Sequence, residues 1–211
     1  MLTQRIVDHL VYAVPDLQTA MDDLEKLLGI RPNFGGYHTA KGTKNAVLNL
    51  GNGCYLEILA VDEENKEISS PRWMGVDLID KPRMTRWCLK SNDLEKDSQT
   101  LKKYNPEMGE ISGGQRKMSD GNLLAWSMIM PLAAPEVDLI PFMVDWRKSA
   151  IHPTERMEDV CRLVALDFSH PHPEIINPIL SEFSPNLIIS KGKTARITAH
   201  INSPNGVVEL R

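Results

Sequence analysis

The sequence lacks the features that would place it in several large functional classes. Its 24 lysines and arginines do not outnumber its 28 aspartates and glutamates, and the formal net charge is −4. No basic stripe is left over for a nucleic-acid backbone. No cluster of lysine and arginine suits an anionic membrane surface, and no apolar run approaches the ~20 residues of a membrane-spanning helix. The opening residues Met1 to Arg5 lead into a polar-interrupted strand pattern rather than a signal peptide, so a cytoplasmic location is expected. Cysteine is scarce: Cys54, Cys88 and Cys161 are an odd number inside apolar runs, which suits reduced core residues better than a disulfide or zinc framework. There is no Gly-x-Ser-x-Gly elbow, and Gly113-Gly114 lacks the lysine and hydroxyl of a phosphate loop, so it reads as a turn.

What is present is ordinary globular composition, 42% hydrophobic and 25% charged over 211 residues. That length allows one large domain or two small ones. The pattern is a strand, a helix, then three strands. Ile6 to Val14 forms the first strand and ends at Pro15. Asp16 caps a helix whose stripe is Leu17, Ala20, Met21, Leu24, Leu27 and Leu28, and Gly29 stops it. Extended runs follow over 30–38, 44–50 and 54–61, separated by glycine-containing turns. The pattern then restarts. Arg86 lies 77 residues after His9, with Asp93 on the helix cap, and Arg162 lies 76 residues after Arg86. The order of elements repeats, while the letters do not. The spacing therefore predicts an α+β protein of repeated βαβββ modules. Residues 1–150 are expected to hold two of them, 1–61 and 84–147, and residues 160–211 a third. Two modules side by side make a curved eight-stranded mixed sheet, a cup with helices on its convex face. The third is expected to pack on the other two or to pair across a homodimer.

The run Asp8-His9-Leu10-Val11-Tyr12-Ala13-Val14-Pro15-Asp16-Leu17 resembles the opening strand and helix cap of the vicinal oxygen chelate superfamily, and its bacterial glyoxalase-like proteins in particular. The block from His38 through Asn45, the run Tyr55-Leu56-Glu57-Ile58, then Arg116, Asp120-Gly121, Trp126, Pro141-Phe142 and Asp145-Trp146 extend the resemblance over residues 5–150. It implies paired βαβββ modules and a divalent ion in the cup (Zn, Mn, Fe, Co or Ni) held by His9 and Glu57. Glu57 would also move a proton. The second module departs from the pattern: Arg86 stands where His9 stands in the first, and Met143, or a neighbour within a register slip, where Glu57 stands. Arginine cannot ligate a metal. Two readings follow. If modules one and three paired, Glu209 would join His9 and Glu57 as a third ligand. Alternatively Arg86 and Arg116 bind an anionic substrate in place of the metal. His38 and Asn45 are further pocket candidates, and Trp126 and Trp146 an aromatic wall.

Each has a plainer alternative: His9 as a hydrogen-bonded core histidine, the tryptophans as core, His38 as a loop residue. His170-Pro171-His172-Pro173 has metal-tract letters but reads as a helix entry. The expected function is a small-molecule pocket in a cup, with lyase, isomerase or dioxygenase chemistry. A metal-free binding protein for an anionic or aromatic ligand is the alternative, and a structural dimer with a vestigial cup is the third reading.

Overall fold

The computed structural model describes residues 5–117, 123–134, 136–149, 151–184 and 186–211, with the backbone alone at 116, 117 and 123. The first unit is β1 (Val7–Ala13), α1 (Leu17–Leu28), β2 (Asn33–His38), β3 (Thr43–Asn49) and β4 (Tyr55–Val61). The second is β5 (Arg83–Lys90), α2 (Leu94–Tyr104), β6 (Ile111–Lys117), β7 (Leu123–Ile129) and β8 (Phe142–Asp145). Their helices begin as the sequence leads one to expect. The Asp16 carboxylate accepts from the Thr19 amide at 2.7 Å, and Asp93 accepts from Lys96 at 3.1 Å. Gly29 closes α1 with φ 75°, a left-handed turn that glycine adopts without strain.

All eight strands form one sheet in the order β2-β3-β4-β1-β5-β8-β7-β6. Its symmetry is visible in the pairing. β1 runs parallel to β4, β5 runs parallel to β8, and the two modules meet where β1 and β5 pair antiparallel. Strand alternation then sorts the side chains. Leu10, Leu56, Ile58, Trp87, Leu89 and Met143 go to the helix face, while Val11, Leu59, Cys88, Phe142 and Val144 go to the concave face. Residues 73–78 turn across one end of that concave face and bury Met74 and Val76 there. Among the described residues, no helix is long and apolar enough to cross a membrane.

The third unit is β9 (Arg162–His170), α3 (Pro173–Ser181), β10 (Ser190–Lys191), β11 (Arg196–Ser203) and β12 (Gly206–Leu210). The element order repeats here, but the pairing does not. Its sheet runs β10-β9-β11-β12, so the first strand pairs parallel with the second and antiparallel with the third. In module one the first strand pairs with the fourth. The physical reason is length: β10 has two residues and cannot form the long hairpin that β2 and β3 make, so β11 takes the place beside β9. This sheet packs on the helix face of the cup. β11 lies over β5, β12 touches α1, and Phe168 meets Trp87 with ring centroids 4.8 Å apart. Trp87 is fully buried and donates its indole N–H to the Leu139 carbonyl at 2.9 Å. One apolar core therefore runs through all three units. Truncating Phe168 to alanine is expected to cost about 3–5 kcal/mol. In urea denaturation the whole chain should shift as one transition, whereas an independent third unit would melt alone and leave the cup's midpoint in place.

Candidate functional site

The site begins with an irregularity in β1. The pairing of β1 with β5 slips between Val7 and His9, so Asp8 and His9 together oppose Cys88. Such a bulge re-aims side chains that strict alternation would send to opposite faces. Both residues are buried, at 0% and 3% exposure. Asp8 Oδ1 lies 2.7 Å from His9 Nδ1. Its Oδ2 accepts from Trp146 Nε1 at 3.0 Å and contacts His152 Nε2 at 3.1 Å, with Lys90 Nζ at 3.9 Å. Burial by itself raises the carboxyl pKa and is the largest single influence. The hydrogen bonds and charges of His152 and His9 together outweigh it and hold the group down at about 2.

His9 is held on its other sides by rings. Tyr55 stacks on it at 4.7 Å and Phe142 meets it edge-on at 5.1 Å. Burial pushes the Tyr55 hydroxyl well above the usual phenol range. Two residues along β4, on the same face, stands Glu57, 5% exposed. Its Oε1 accepts from Asn45 Nδ2 at 2.6 Å. Its Oε2 lies 3.9 Å from His9 Nε2, and its Oε1 lies 4.0 Å from His38 Nε2. His38 Nδ1 in turn lies 3.0 Å from the Thr43 hydroxyl. A Cβ at Gly35 would stand 2.3 Å from Asn45 Oδ1, so glycine is what lets the Asn45 amide sit beside Glu57.

These groups form the floor of a cavity of about 680 Å³. A second chamber of about 330 Å³ adjoins it and shares Tyr37, His38, Trp73, Trp126 and Met128. Of the four tryptophans in the chain, Trp73, Trp126 and Trp146 line the main cavity, and Trp87 belongs to the core. Trp126 lies flat against β6 because its cross-strand partner is Gly114, where a Cβ would meet the indole at 2.5 Å. Pro153, Arg156 and Met157 complete the lining. These belong to the strap that leads from β8 to β9, and His152 fastens that strap to Asp8.

The structure brings together His9, Glu57, His38, Asn45, Trp126 and Trp146. It places two expected residues elsewhere. Arg86 is 1% exposed, and its guanidinium is spent on backbone carbonyls: Thr85 at 2.9 Å, Leu132 at 3.3 Å, and those of Ala134 and Glu136. Burial pushes its pKa down. It ties Leu132, Ala134 and Glu136 to β5 and lines neither chamber, which corrects its reading as an anion receptor. Glu209 lies on β12, in the other sheet, 46% exposed at its side chain and paired with Arg211 at 2.7 Å. Modules one and two close the cup, so Glu209 does not join His9 and Glu57. The Arg116 side chain and the Asp120-Gly121 pair lie outside the described residues. Asp8, Tyr55, Trp73 and His152 were not among the expected site residues. Asp8 stood in the opening motif, but the bulge that turns it toward His9 leaves no mark in the letters.

A four-ligand metal site does not fit these donors. Module one supplies His9 Nε2 and Glu57, but module two presents Cys88, Phe142 and Val144 to the same face, and Phe142 packs on His9. Asp8, His9 and Cys88 do converge. The 2.7 Å between Asp8 and His9 is a proton's separation, however, since two ligands each about 2 Å from one ion stand roughly 3 Å or more apart. Burial also pushes the Cys88 thiol well above its usual range, away from the thiolate a metal needs.

The Asp8 shift carries a pH prediction. A carboxyl held at about 2 in the fold, against an ordinary 3.8, stabilises the protein fully above pH ~4, and loses that contribution as pH falls toward 2. Its size is roughly 2 kcal/mol. Chemical denaturation at a series of pH values should show a shallower acid limb for Asp8→Asn than for the wild type.

Comparison with known proteins agrees with this architecture. The glyoxalase-like domain family matches residues 7–183. A hypothetical protein from Staphylococcus aureus superposes with a TM-score of 0.61 at 16% identity, over 96% of this chain and 83% of that one. Methylmalonyl-CoA epimerase from Mycobacterium tuberculosis gives 0.43 at 16% identity, over 69% of this chain and 91% of that one. A hypothetical protein from Bacillus halodurans gives 0.45 at 14%, over 70% and 98%. Comparison with curated proteins gives no significant match. With the cup, its paired modules and the matched span in hand, the chain belongs to the glyoxalase-like domain family of vicinal oxygen chelate proteins.

Proposed function

We propose that this protein is a small-molecule enzyme that moves a proton by acid–base chemistry at Glu57 and His9, as a lyase or isomerase, on a ligand with an apolar or aromatic body. The observation that carries the reading is the buried Glu57 carboxylate, 3.9 Å from His9 Nε2, at the floor of a cavity walled by tryptophans. That gap is too long for a hydrogen bond. It is spaced for a ligand atom within reach of both groups, either of which can take up its proton. Asn45 steadies Glu57, and the indoles of Trp73, Trp126 and Trp146 exclude water and hold the ligand body. A cavity of about 680 Å³ suits a ligand of small-metabolite size.

A second reading, metal-free binding without turnover, is favoured by the apolar concave face of module two. A divalent ion held by His9 and Glu57 alone would be a third, with the remaining positions left to water and ligand. A cytoplasmic homodimer remains part of the proposal, and light scattering reads its oligomeric half.

Solvent hydrogen exchange separates these readings. A panel of aryl and alkyl ketones in deuterated water, followed by NMR, should reveal enzyme-dependent exchange at a carbon next to the carbonyl. Glu57→Gln should slow it by about 10²–10⁴-fold, with little change in fold. Binding seen by tryptophan quenching, but no exchange across the panel, would favour the binding protein. Stoichiometric metal that survives dialysis and is lost in both His9→Ala and Glu57→Ala would overturn the metal-free chemistry.

A further inference from the structure

The geometry points to Asp8 as the positioning residue that fixes His9 as a hydrogen-bond acceptor toward the cup, so that the floor selects ligands whose head group donates hydrogen (an alcohol, phenol, enol or amine) over carboxylates. The inference rests on the cup being the ligand site proposed above.

The argument is an accounting of protons. Trp146 Nε1 can only donate, so Asp8 Oδ2 accepts from it. His152 caps the turn at Pro153–Arg156, and its Nδ1 accepts the Thr154 amide at 3.3 Å. Its proton is therefore on Nε2, which donates to the same Asp8 oxygen. Asp8 is a buried anion with no hydrogen of its own to give. The 2.7 Å bond from Oδ1 to His9 Nδ1 then requires the His9 proton on Nδ1. Neutral His9 is left with a lone pair on Nε2, facing Glu57.

Glu57 imposes the same choice on Asn45. An anionic carboxylate accepts the amide N–H₂, which turns the Asn45 oxygen away. That oxygen is buried against Gly35 and has no donor among the described residues. Two lone-pair atoms are left at the floor: His9 Nε2 and Glu57 Oε2. Tyr55 and His38 can serve either way. A carboxylate head group would face the Glu57 charge in a site of low dielectric. The arginine expected to welcome it, Arg86, is bound to carbonyls. Arg156 also lines the cavity, so it is the cation a carboxylate would have to use.

Replacing Asp8 by asparagine should invert the arrangement. The two donors Trp146 and His152 hold the Asn oxygen on their side, so its N–H₂ faces His9 Nδ1. The His9 proton then moves to Nε2, where it points at Glu57. Long-range ¹H–¹⁵N correlation spectra of the labelled protein at about pH 8 read this directly. The wild type is expected to show the Nδ1–H form of His9, and Asp8→Asn the Nε2–H form. A wild-type Nε2–H form overturns the proposal, and it can be read whether or not the variant folds. An unchanged tautomer in folded Asp8→Asn overturns the positioning role. Calorimetric titration with 2-naphthol and 2-naphthoate tests selectivity. The naphthol should bind about tenfold or more tightly, and naphthoate binding as well or better, through Arg156, overturns the donor preference. If neither probe binds, the ligand reading itself is contradicted, while the tautomer measurement still decides the role of Asp8.

Discussion

A carboxylate with no exposure to water has to be surrounded by donors, and Asp8 is such a carboxylate. Stripping a charge of its hydration costs several kcal/mol unless hydrogen bonds replace the lost water. The donors come from β1 itself, from the end of β8 and from the strap beyond it. The last two lie 138 and 144 residues beyond Asp8. They are held together because the charge between them can be satisfied in no other way. The orientation of His9, the place of Trp146 in the wall and the fastening of the strap through His152 all follow from this one constraint.

The two modules have diverged in chemistry while keeping the same backbone. Module one brings polar groups to the concave face, at His9, Glu57 and Asn45. Module two brings Cys88, Phe142, Val144 and the indole of Trp126. The division suits a ligand with a reactive end and an apolar body, oriented by burial on one side and by hydrogen bonds on the other. It also removes half of the ligand set on which a bound metal would depend. Arg86 shows how a symmetric position acquires a different use. It faces the same side as its counterpart in module one, yet the carbonyls of Thr85, Leu132, Ala134 and Glu136 take up its two terminal nitrogens.

Much of this was legible in the letters. Helix caps at Asp16 and Asp93, the alternation through β1 and β4, and the restart at Arg86 carry the eight-stranded cup. Alternation alone set Glu57 apart from Leu56 and Ile58. What escaped is what depends on events between strands. The bulge at Asp8 is a slip against β5 that no local pattern encodes. The third unit has the right sequence of elements, but its pairing was decided by a strand of two residues. Trp73 lies in the charged connection between β4 and β5, and it reaches the cavity beside backbone turns at Met74 and Gly75. Arg86 was recognised as exceptional, but its partners are backbone carbonyls, and those are invisible to any reading of side-chain types.

The placement of the third sheet bears on how copies of this chain can associate. The junction of β1 and β5 is a seam between two similar halves, and such seams invite exchange of halves between molecules. Here β12 touches α1 on one side of the seam and β11 lies over β5 on the other. The third unit therefore works as a clasp across it. Opening the seam would expose Trp87, Phe168 and the core they share.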